Sequence, residues 1–307
     1  AEELQRLASE ALQVNIRNLV TPSGQLLRPG SLLGDLDVQD GATFSAVCNK
    51  SCLVSSFGAF ARLEADGRVV AWGHPLYGGD ACSVDDQLHD VESLWATRHA
   101  FAAKRGDGSV VTWGHSELGG ESPQDLLHNI QEVRCFAYAF LAKQEDGELV
   151  HWGSLFCGGD LPPQQLKAVQ QIEVSCNAAA ARLADGRVLT WGHQDFGGDS
   201  EAVQEELRDV EELCASTGAF AALRHDGGVV TWGAQGSGGD CSAVQTELRD
   251  VQQIVSSGRA FAALRADGEV VCWGDDCMIP SPPPTGVRMA ATFGAFAVLS
   301  REGEVVA

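Results

Sequence analysis

Along residues 51–307, short and nearly continuous apolar runs alternate with polar turns rich in glycine. One stretch shows the pattern: Ala219-Phe220-Ala221-Ala222-Leu223 leads through Arg224-His225-Asp226-Gly227 into Val229-Val230-Thr231-Trp232-Gly233. Runs this short predict strands rather than helices, and their lack of alternation predicts strands covered on both faces. The Asp-Gly pair between them predicts a hairpin, read as a type I′ turn with φ > 0 at both central residues. A third apolar run precedes each hairpin, as in Val91-Glu92-Ser93-Leu94-Trp95-Ala96 and Val251-Gln252-Gln253-Ile254-Val255. Each unit therefore offers three strands. The segment after Trp-Gly, such as 200–207, fits either a helical turn or a fourth strand.

The phrase recurs. Trp-Gly begins at Trp72, Trp113, Trp152, Trp191, Trp232 and Trp273, with spacings of 41, 39, 39, 41 and 41 residues. The turn glycines are Gly67, Gly108, Gly147, Gly186, Gly227 and Gly268, each after an Asp, and Glu302-Gly303 marks a seventh hairpin. Self-similarity at a fixed period of this size marks a repeat architecture. Antiparallel units repeated radially make an all-β, seven-bladed β-propeller, whose closure removes the edges that an open solenoid must cap. The expected division is a blade domain over 51–307, its seventh unit incomplete, after a small α+β segment at 1–48. Because the Trp and turn-Gly positions recur in nearly every unit, they are expected to be structural. The Trp residues, Trp95 included, are expected in the core.

These features resemble the repeats of the regulator-of-chromosome-condensation family. There a small-residue strand leads to an Asp-Gly hairpin, then Val-x-x-Trp-Gly, then a glycine-rich stretch. Here that stretch reads Trp72-Gly73-His74-Pro75-Leu76-Tyr77-Gly78-Gly79-Asp80, with copies ending at Gly119-Gly120, Gly158-Gly159, Gly197-Gly198 and Gly238-Gly239. The resemblance implies a seven-bladed propeller. The chain departs from the family in carrying Phe60, Phe101, Phe140, Phe220, Phe261 and Phe296 where His is usual, and Ala179 once. Its units are shorter than the family's, and no insertion interrupts the period, so loop-borne exchange activity on a small nuclear GTPase is not carried over. After Trp273-Gly274 the sixth unit turns irregular, with a run around Pro280 and Pro282-Pro283-Pro284.

Residues 1–48 lack the repeat. Leu4, Leu7, Ala8 and Leu12 share one side of a predicted helix, followed by a strand near Ile16–Val20 and apolar stretches through Val47. The order resembles the helix and later strands of a ubiquitin-like domain without its first hairpin, which fits a truncated N-terminus. It would be a fixed module, since no Gly-Gly tail follows.

Charge narrows the partners. With 42 acidic and 21 basic residues the formal charge is −21, a balance that repels phosphates. Nucleic acid and anionic membrane are therefore disfavoured, and a basic protein surface or peptide is favoured. No apolar run of 18 residues is present. The ten cysteines (Cys48, Cys52, Cys82, Cys135, Cys157, Cys176, Cys214, Cys241, Cys272 and Cys277) mostly occupy positions that sister units fill with Ala, Ser or Val. That is the behaviour of small buried hydrophobes, and reduced thiols imply a cytoplasmic or nuclear setting. Cys48/Cys52 and Cys272/Cys277 lack a second half-site for zinc. His74, His115 and His193 follow Trp-Gly but are expected on a wide circle, too far apart to share an ion. The Gly-Gly-Asp residues Asp80, Asp160, Asp199 and Asp240 are read as Asx-capped turns, not a calcium β-roll.

No catalytic constellation, metal site or cofactor loop emerges. The favoured reading is a non-enzymatic protein-interaction scaffold whose acidic propeller surface binds a protein partner. The alternatives are a guanine-nucleotide exchange factor, by family analogy alone, or the substrate-targeting region of a ubiquitin-ligase-type protein.

Overall fold

The computed structural model describes residues 4, 6–8, 16–20, 45–48, 51–154, 169–275, 277, 286–300 and 303–306. Near the N-terminus Leu4 and Arg6–Ala8 are helical, and β1 (Ile16–Val20) pairs antiparallel with β2 (Ser45–Cys48). Most of the ubiquitin-like reading lies outside the described residues, as do Cys157, Gly158-Gly159, Asp160 and the proline run at 280–284.

The rest of the described chain is seven three-stranded antiparallel sheets, each a meander of consecutive strands. Blade 1 is β3 (Cys52–Ser55), β4 (Ala59–Leu63) and β5 (Val69–Gly73). Blade 2 is β6 (Val91–Ala96), β7 (Ala100–Arg105) and β8 (Val110–Gly114). Blade 3 is β9 (Ile130–Cys135), β10 (Ala139–Gln144) and β11 (Leu149–Gly153). Blade 4 is β12 (Val169–Val174), β13 (Ala178–Leu183) and β14 (Val188–Gly192). Blade 5 is β15 (Val210–Ala215), β16 (Ala219–Arg224) and β17 (Val229–Gly233). Blade 6 is β18 (Val251–Ser256), β19 (Ala260–Arg265) and β20 (Val270–Gly274). Blade 7 is β21 (Arg288–Ala291), β22 (Phe296–Leu299) and β23 (Val305–Val306). The segment after Trp-Gly is helical turns and not a fourth strand: 3₁₀ turns form directly after it, as at Pro75–Tyr77, Ser116–Leu118, Gln194–Phe196 and Gln235–Ser237, and again at Asp85–Gln87, Gln124–Leu126 and Glu201–Val203.

The hairpin turn differs from the type I′ expectation. In blade 1, Gly67 N donates to Glu64 O at 3.0 Å and Glu64 N to Arg68 O at 2.8 Å, a three-residue loop closed by a bulge. Only the glycine is left-handed, with φ +82° at Gly67 and +77° at Gly227. The aspartate stays at negative φ because its side chain caps the turn. Asp66 Oδ1 accepts from Arg68 N at 3.1 Å, and Asp226 Oδ1 from Gly228 N at 3.0 Å. The same glycine joins blades. Gly67 O accepts from Val91 N at 2.9 Å, Gly186 O from Val210 N at 3.0 Å and Gly227 O from Val251 N at 3.0 Å.

Contacts divide the chain into two units, Ala1–Val133 and Arg134–Ala307. In the first, Ala59, Ala61, Leu63 and Val69 of blade 1 pack against Phe101, Ala103, Val111 and Trp113 of blade 2. In the second, Ala178, Ala180 and Val188 pack against Phe220, Ala222, Val230 and Trp232, and the next pair of blades repeats the scheme. Alanine serves here because a small Cβ lets neighbouring sheets approach, so that a Phe-Trp pair, or Trp191 beside Ala179 in blade 4, fills the layer. Amide side chains stitch first strands together: Gln171 of blade 4 donates to Leu213 O at 2.8 Å and accepts from Leu213 N at 3.0 Å. Gln253 makes the same pair of bonds with Met289. A backbone bond links the turns between first and second strands, as from Cys176 N to Thr217 O at 2.9 Å and Thr217 N to Gly258 O at 3.0 Å.

Candidate functional site

Each blade has two ends. The Trp-Gly end carries the 3₁₀ turns, and the Asp-Gly end carries the hairpin loops. Of the residues singled out in the sequence, Trp113, Trp152, Trp191, Trp232 and Trp273 are buried, each 5% exposed or less. Their role is visible in the bonds they make. Trp113 Nε1 donates to Gly78 O, Trp232 Nε1 to Gly197 O and Trp273 Nε1 to Gly238 O, all at 3.0 Å. Each indole thus ties the Gly-Gly turn of one blade to the third strand of the next.

Trp72 departs from the expectation of a core residue. It is 42% exposed, and Phe60, stacked on it at 5.6 Å, is 43% exposed. No Gly-Gly turn among the described residues lies over this pair. Trp95 is also only half-buried. Gly67, Gly108, Gly147, Gly186, Gly227 and Gly268 all sit in the hairpin loops with φ between 77° and 91°.

The tempting histidines act locally. His74 Nδ1 accepts from Leu76 N at 3.2 Å and His193 Nδ1 from Asp195 N at 3.3 Å, so both cap the 3₁₀ turn that follows Trp-Gly. His115 lies edge-on to His99, with ring centroids 6.2 Å apart, and His99 packs on Tyr77 at 4.7 Å. Burial lowers the His99 pKa, helped by the charge of His115. Among the described residues no three His, Cys, Asp or Glu side chains are placed to hold a metal. Asp80, Asp199 and Asp240 cap their own turns, each accepting at 2.9 Å from the backbone N–H two residues on. Of the described cysteines, Cys272 and Cys277 are joined in a disulfide, a correction to the all-thiol expectation: the loop after β20 returns their Cα atoms to 5.8 Å. Cys52, Cys82, Cys135, Cys176, Cys214 and Cys241 are in no disulfide, and burial pushes the Cys214 thiol up to about 11.

One set of residues escaped the sequence reading. Ser56, Thr97, Ser175 and Ser216 lie in the turns between first and second strands. Each accepts from the backbone N–H three residues on, at 3.0–3.1 Å. Ser56, Ser175 and Ser216 also donate to the 3₁₀ turn, at Tyr77 O (2.8 Å), Phe196 O (2.9 Å) and Ser237 O (2.8 Å). A column of hydroxyl residues at the repeat period was the available signal.

Two clefts rich in charge lie at the Asp-Gly ends of blades. In the first unit a cleft of about 640 Å³ is lined by Glu64, Asp66, Asp85 and Asp86, with Arg68 and His89. In the second unit a cleft of about 400 Å³ is lined by Asp185, Asp209, Glu211 and Asp226, with Arg224 and His225. The lining of each cleft thus holds four carboxylates and one guanidinium, and a second guanidinium pairs with a lining acid from outside it, Arg62 with Glu64 and Arg187 with Asp185. The turn geometry favours the ionised form of Asp66 and Asp185. Partial burial pushes Asp66 up, but the Arg68 N–H and guanidinium outweigh it and hold the carboxyl below its ordinary range. The Arg187 backbone N–H and then its guanidinium do the same for Asp185, and the Ser109 hydroxyl and N–H for Asp107. His225, hydrogen-bonded to Glu211, is pushed up by that carboxylate. Neither cleft holds a nucleophile paired with a base.

Among the described residues, no helix is long and apolar enough to cross a membrane. Neither a family model nor a curated protein matches the sequence. Solved structures do. Prp20p from Saccharomyces cerevisiae, in a structure concerned with its binding to Gsp1p and histones, is 16% identical. It aligns over 72% of this chain and 71% of its own, with a TM-score of 0.45. The ectodomain of the Physcomitrella patens receptor kinase CR4 is 15% identical over 83% of this chain and 71% of its own, with a TM-score of 0.49. Human WBSCR16 is 16% identical over 81% and 83%, with a TM-score of 0.45. The architecture, one three-stranded antiparallel sheet for each of seven repeat units, is that of β-propeller blades. Likeness at this level concerns the fold and leaves the chemistry to the chain's own residues.

Proposed function

We propose that this chain is a non-enzymatic interaction scaffold whose acidic Asp-Gly end binds a basic segment of a protein partner. One observation carries the reading: each cleft is lined by four carboxylates and one guanidinium, and the acids stay in excess when Arg62 and Arg187 are counted with them. A Lys- or Arg-rich segment would gain from several carboxylates at once, where a lone exposed ion pair contributes ~0–1 kcal/mol. The scaffold suits the task because each aspartate is fixed by its own turn, so little side-chain freedom is lost on binding. In this reading residues 1–48 form a small ubiquitin-like module ahead of the blades at 51–307.

Fluorescence anisotropy with a labelled Arg/Lys-rich peptide tests the proposal. Affinity should fall steeply between low and physiological salt. The charge reversals Asp209→Lys with Glu211→Lys, and Asp85→Lys with Asp86→Lys, should each weaken it. Salt-insensitive binding, or equal binding by both variants and the parent chain, would overturn the reading.

A further inference from the structure

The linker after blade 6 is held differently from its sisters. In three blades the third residue of the last strand is a threonine, and its hydroxyl holds the chain that returns after Trp-Gly. Thr112 Oγ1 donates to Gly120 O at 3.2 Å, Thr231 Oγ1 to Gly239 O at 3.2 Å, and Thr190 Oγ1 lies 2.9 Å from Ser200 Oγ. Blade 6 has Cys272 at that place, opposite Ala262 as Thr231 is opposite Ala221. No Gly-Gly pair occurs between Gly274 and blade 7. The linker is held instead by a covalent bond from Cys272 to Cys277, with Cα atoms 5.8 Å apart.

Cys277 also takes a place that leucine fills elsewhere. Leu88, Leu207 and Leu248, each from a linker, are 1–3% exposed and pack among the two blades that the linker joins. At the junction of blades 6 and 7, Cys277 packs with Cys272 against Ala262 and Val270 of blade 6 and Met289, Phe296 and Val298 of blade 7. Both cysteines are half-buried, which leaves their bond within reach of a small thiol. Blade 7 has fewer ladder bonds of its own to rely on. Its strands β21 and β22 are four residues each, where the first two strands of blade 6 have six. A blade held by less of its own ladder depends more on what seals its junction.

We infer that Cys272 and Cys277 form a redox-controlled tether. As a disulfide the pair clamps the linker to β20 and seals the junction of blades 6 and 7; as two thiols it releases Cys277 and loosens blade 7. The reagent class is a small-molecule thiol and its disulfide, with glutathione as the probe. In the reducing direction one glutathione thiolate attacks a sulfur of the pair, forms a mixed disulfide and expels the other sulfur as a thiolate, which takes up a proton. A second glutathione thiolate then attacks the glutathione sulfur of that intermediate and expels the second cysteine, also protonated. The products are two cysteine thiols and one glutathione disulfide, two electrons having passed to the pair, and glutathione disulfide reverses each step. The threonine of the sister blades holds its linker without such a switch. The device is independent of the acidic clefts.

The test holds the full chain in glutathione or in glutathione disulfide, traps free thiols with N-ethylmaleimide and reads the Cys272 and Cys277 peptides by mass spectrometry. Both should escape the reagent in the oxidised buffer, joined to each other, and both should be labelled in the reduced one. Hydrogen exchange of the same two samples reads the consequence. Amides of β21 and β22 should exchange about tenfold faster in the reduced form, the low end of what opening a short covalent loop costs, while β16 of blade 5 stays unchanged. The difference should vanish in the variant Cys272→Thr with Cys277→Ser, and the comparison within the parent chain stands whether or not that variant folds. Labelling of both cysteines in the oxidised buffer, or glutathione on either in place of the pair, overturns the inference. So does equal exchange of β21 and β22 in the two states, equal acceleration in β16, or a redox response that persists in the double variant.

Discussion

Replacing Gly238 by alanine probes the inter-blade lock directly. Two costs add. The left-handed backbone at φ +89° costs an L-residue ~1–2 kcal/mol relative to glycine. The new Cβ would lie 2.6 Å from Phe261 Cδ2 and 3.0 Å from Cε2, well inside carbon–carbon contact. Phe261 is fully buried and stacked on Trp273, so the ring has little room to retreat. Overpacking of this kind costs a further ~1–3 kcal/mol, giving a sum of ~2–5 kcal/mol. Gly147→Ala supplies the control: φ is +88°, yet nothing lies within 4 Å of its Cβ, so only the backbone cost applies. With an m-value of ~3 kcal/mol/M, urea midpoints should fall by ~1 M for Gly238→Ala and by ~0.5 M for Gly147→Ala. If the two variants unfold at the same urea concentration, the seated turn contributes nothing and the account of the lock is wrong.

Four further outcomes are expected. Ser216→Ala removes a buried hydroxyl that accepts from Ala219 N and donates to Ser237 O, and should cost ~1–3 kcal/mol in chemical denaturation. Phe220→Ala should cost ~3–5 kcal/mol, whereas Phe60→Ala, on an exposed ring, should cost under ~1 kcal/mol; equal losses would mean that Phe60 is covered. Asp66, Asp107 and Asp185 have depressed pKa values, so their stabilising contribution is present above the unfolded aspartate value of about 3.9 and is lost as pH falls through the folded one. Asp66 and Asp185 line the clefts, so their charge should stay available to a basic peptide as pH falls to the ordinary aspartate value of about 3.9, read as anisotropy against pH. His225 is raised by Glu211, so its contribution is present below the unfolded histidine value and lost as pH rises through the folded one. Glu211→Gln should move its NMR titration midpoint downward.

Most of the fold was legible because the repeat reports the same physics many times. Trp-Gly, Asp-Gly and the alanine-rich strands each answer a local requirement, a positive φ or a close sheet approach, and such requirements leave a residue signature. The turn type was misread because an Asp-Gly pair serves two loops. Asp226 holding Gly228 N with its own carboxylate is a contact that spacing does not show. The hydroxyl column was missed because Ser and Thr are common in turns everywhere. Only the second bond, as from Ser216 to Ser237 O, distinguishes a structural hydroxyl from a solvated one. The acidic clefts were legible as a total charge but not as places. Asp185 and Glu211 lie 26 residues apart and meet only because consecutive blades pack side by side.

A repeat protein supplies its own controls, and the first blade shows how to use them. Trp72 read alone is one of six equivalent tryptophans, and by count it belongs to the core. Its exposure distinguishes it from the five that are buried, and Arg62 shows that the difference extends into the sequence. Alanine at the sister positions is fully buried between sheets, a place that cannot take an arginine without parting them. The charge and the open rings therefore occur together on one face. Were the exposure of Trp72 only an unfilled packing site, alanine at 62 would serve as well there as in the other blades. An Arg62→Ala variant separates the two cases. If Arg62 keeps the face open, its removal should promote burial of the Trp72 indole, read as slower exchange of its N–H and a blue-shifted emission. If the face is open for other reasons, the Trp72 signals should not move.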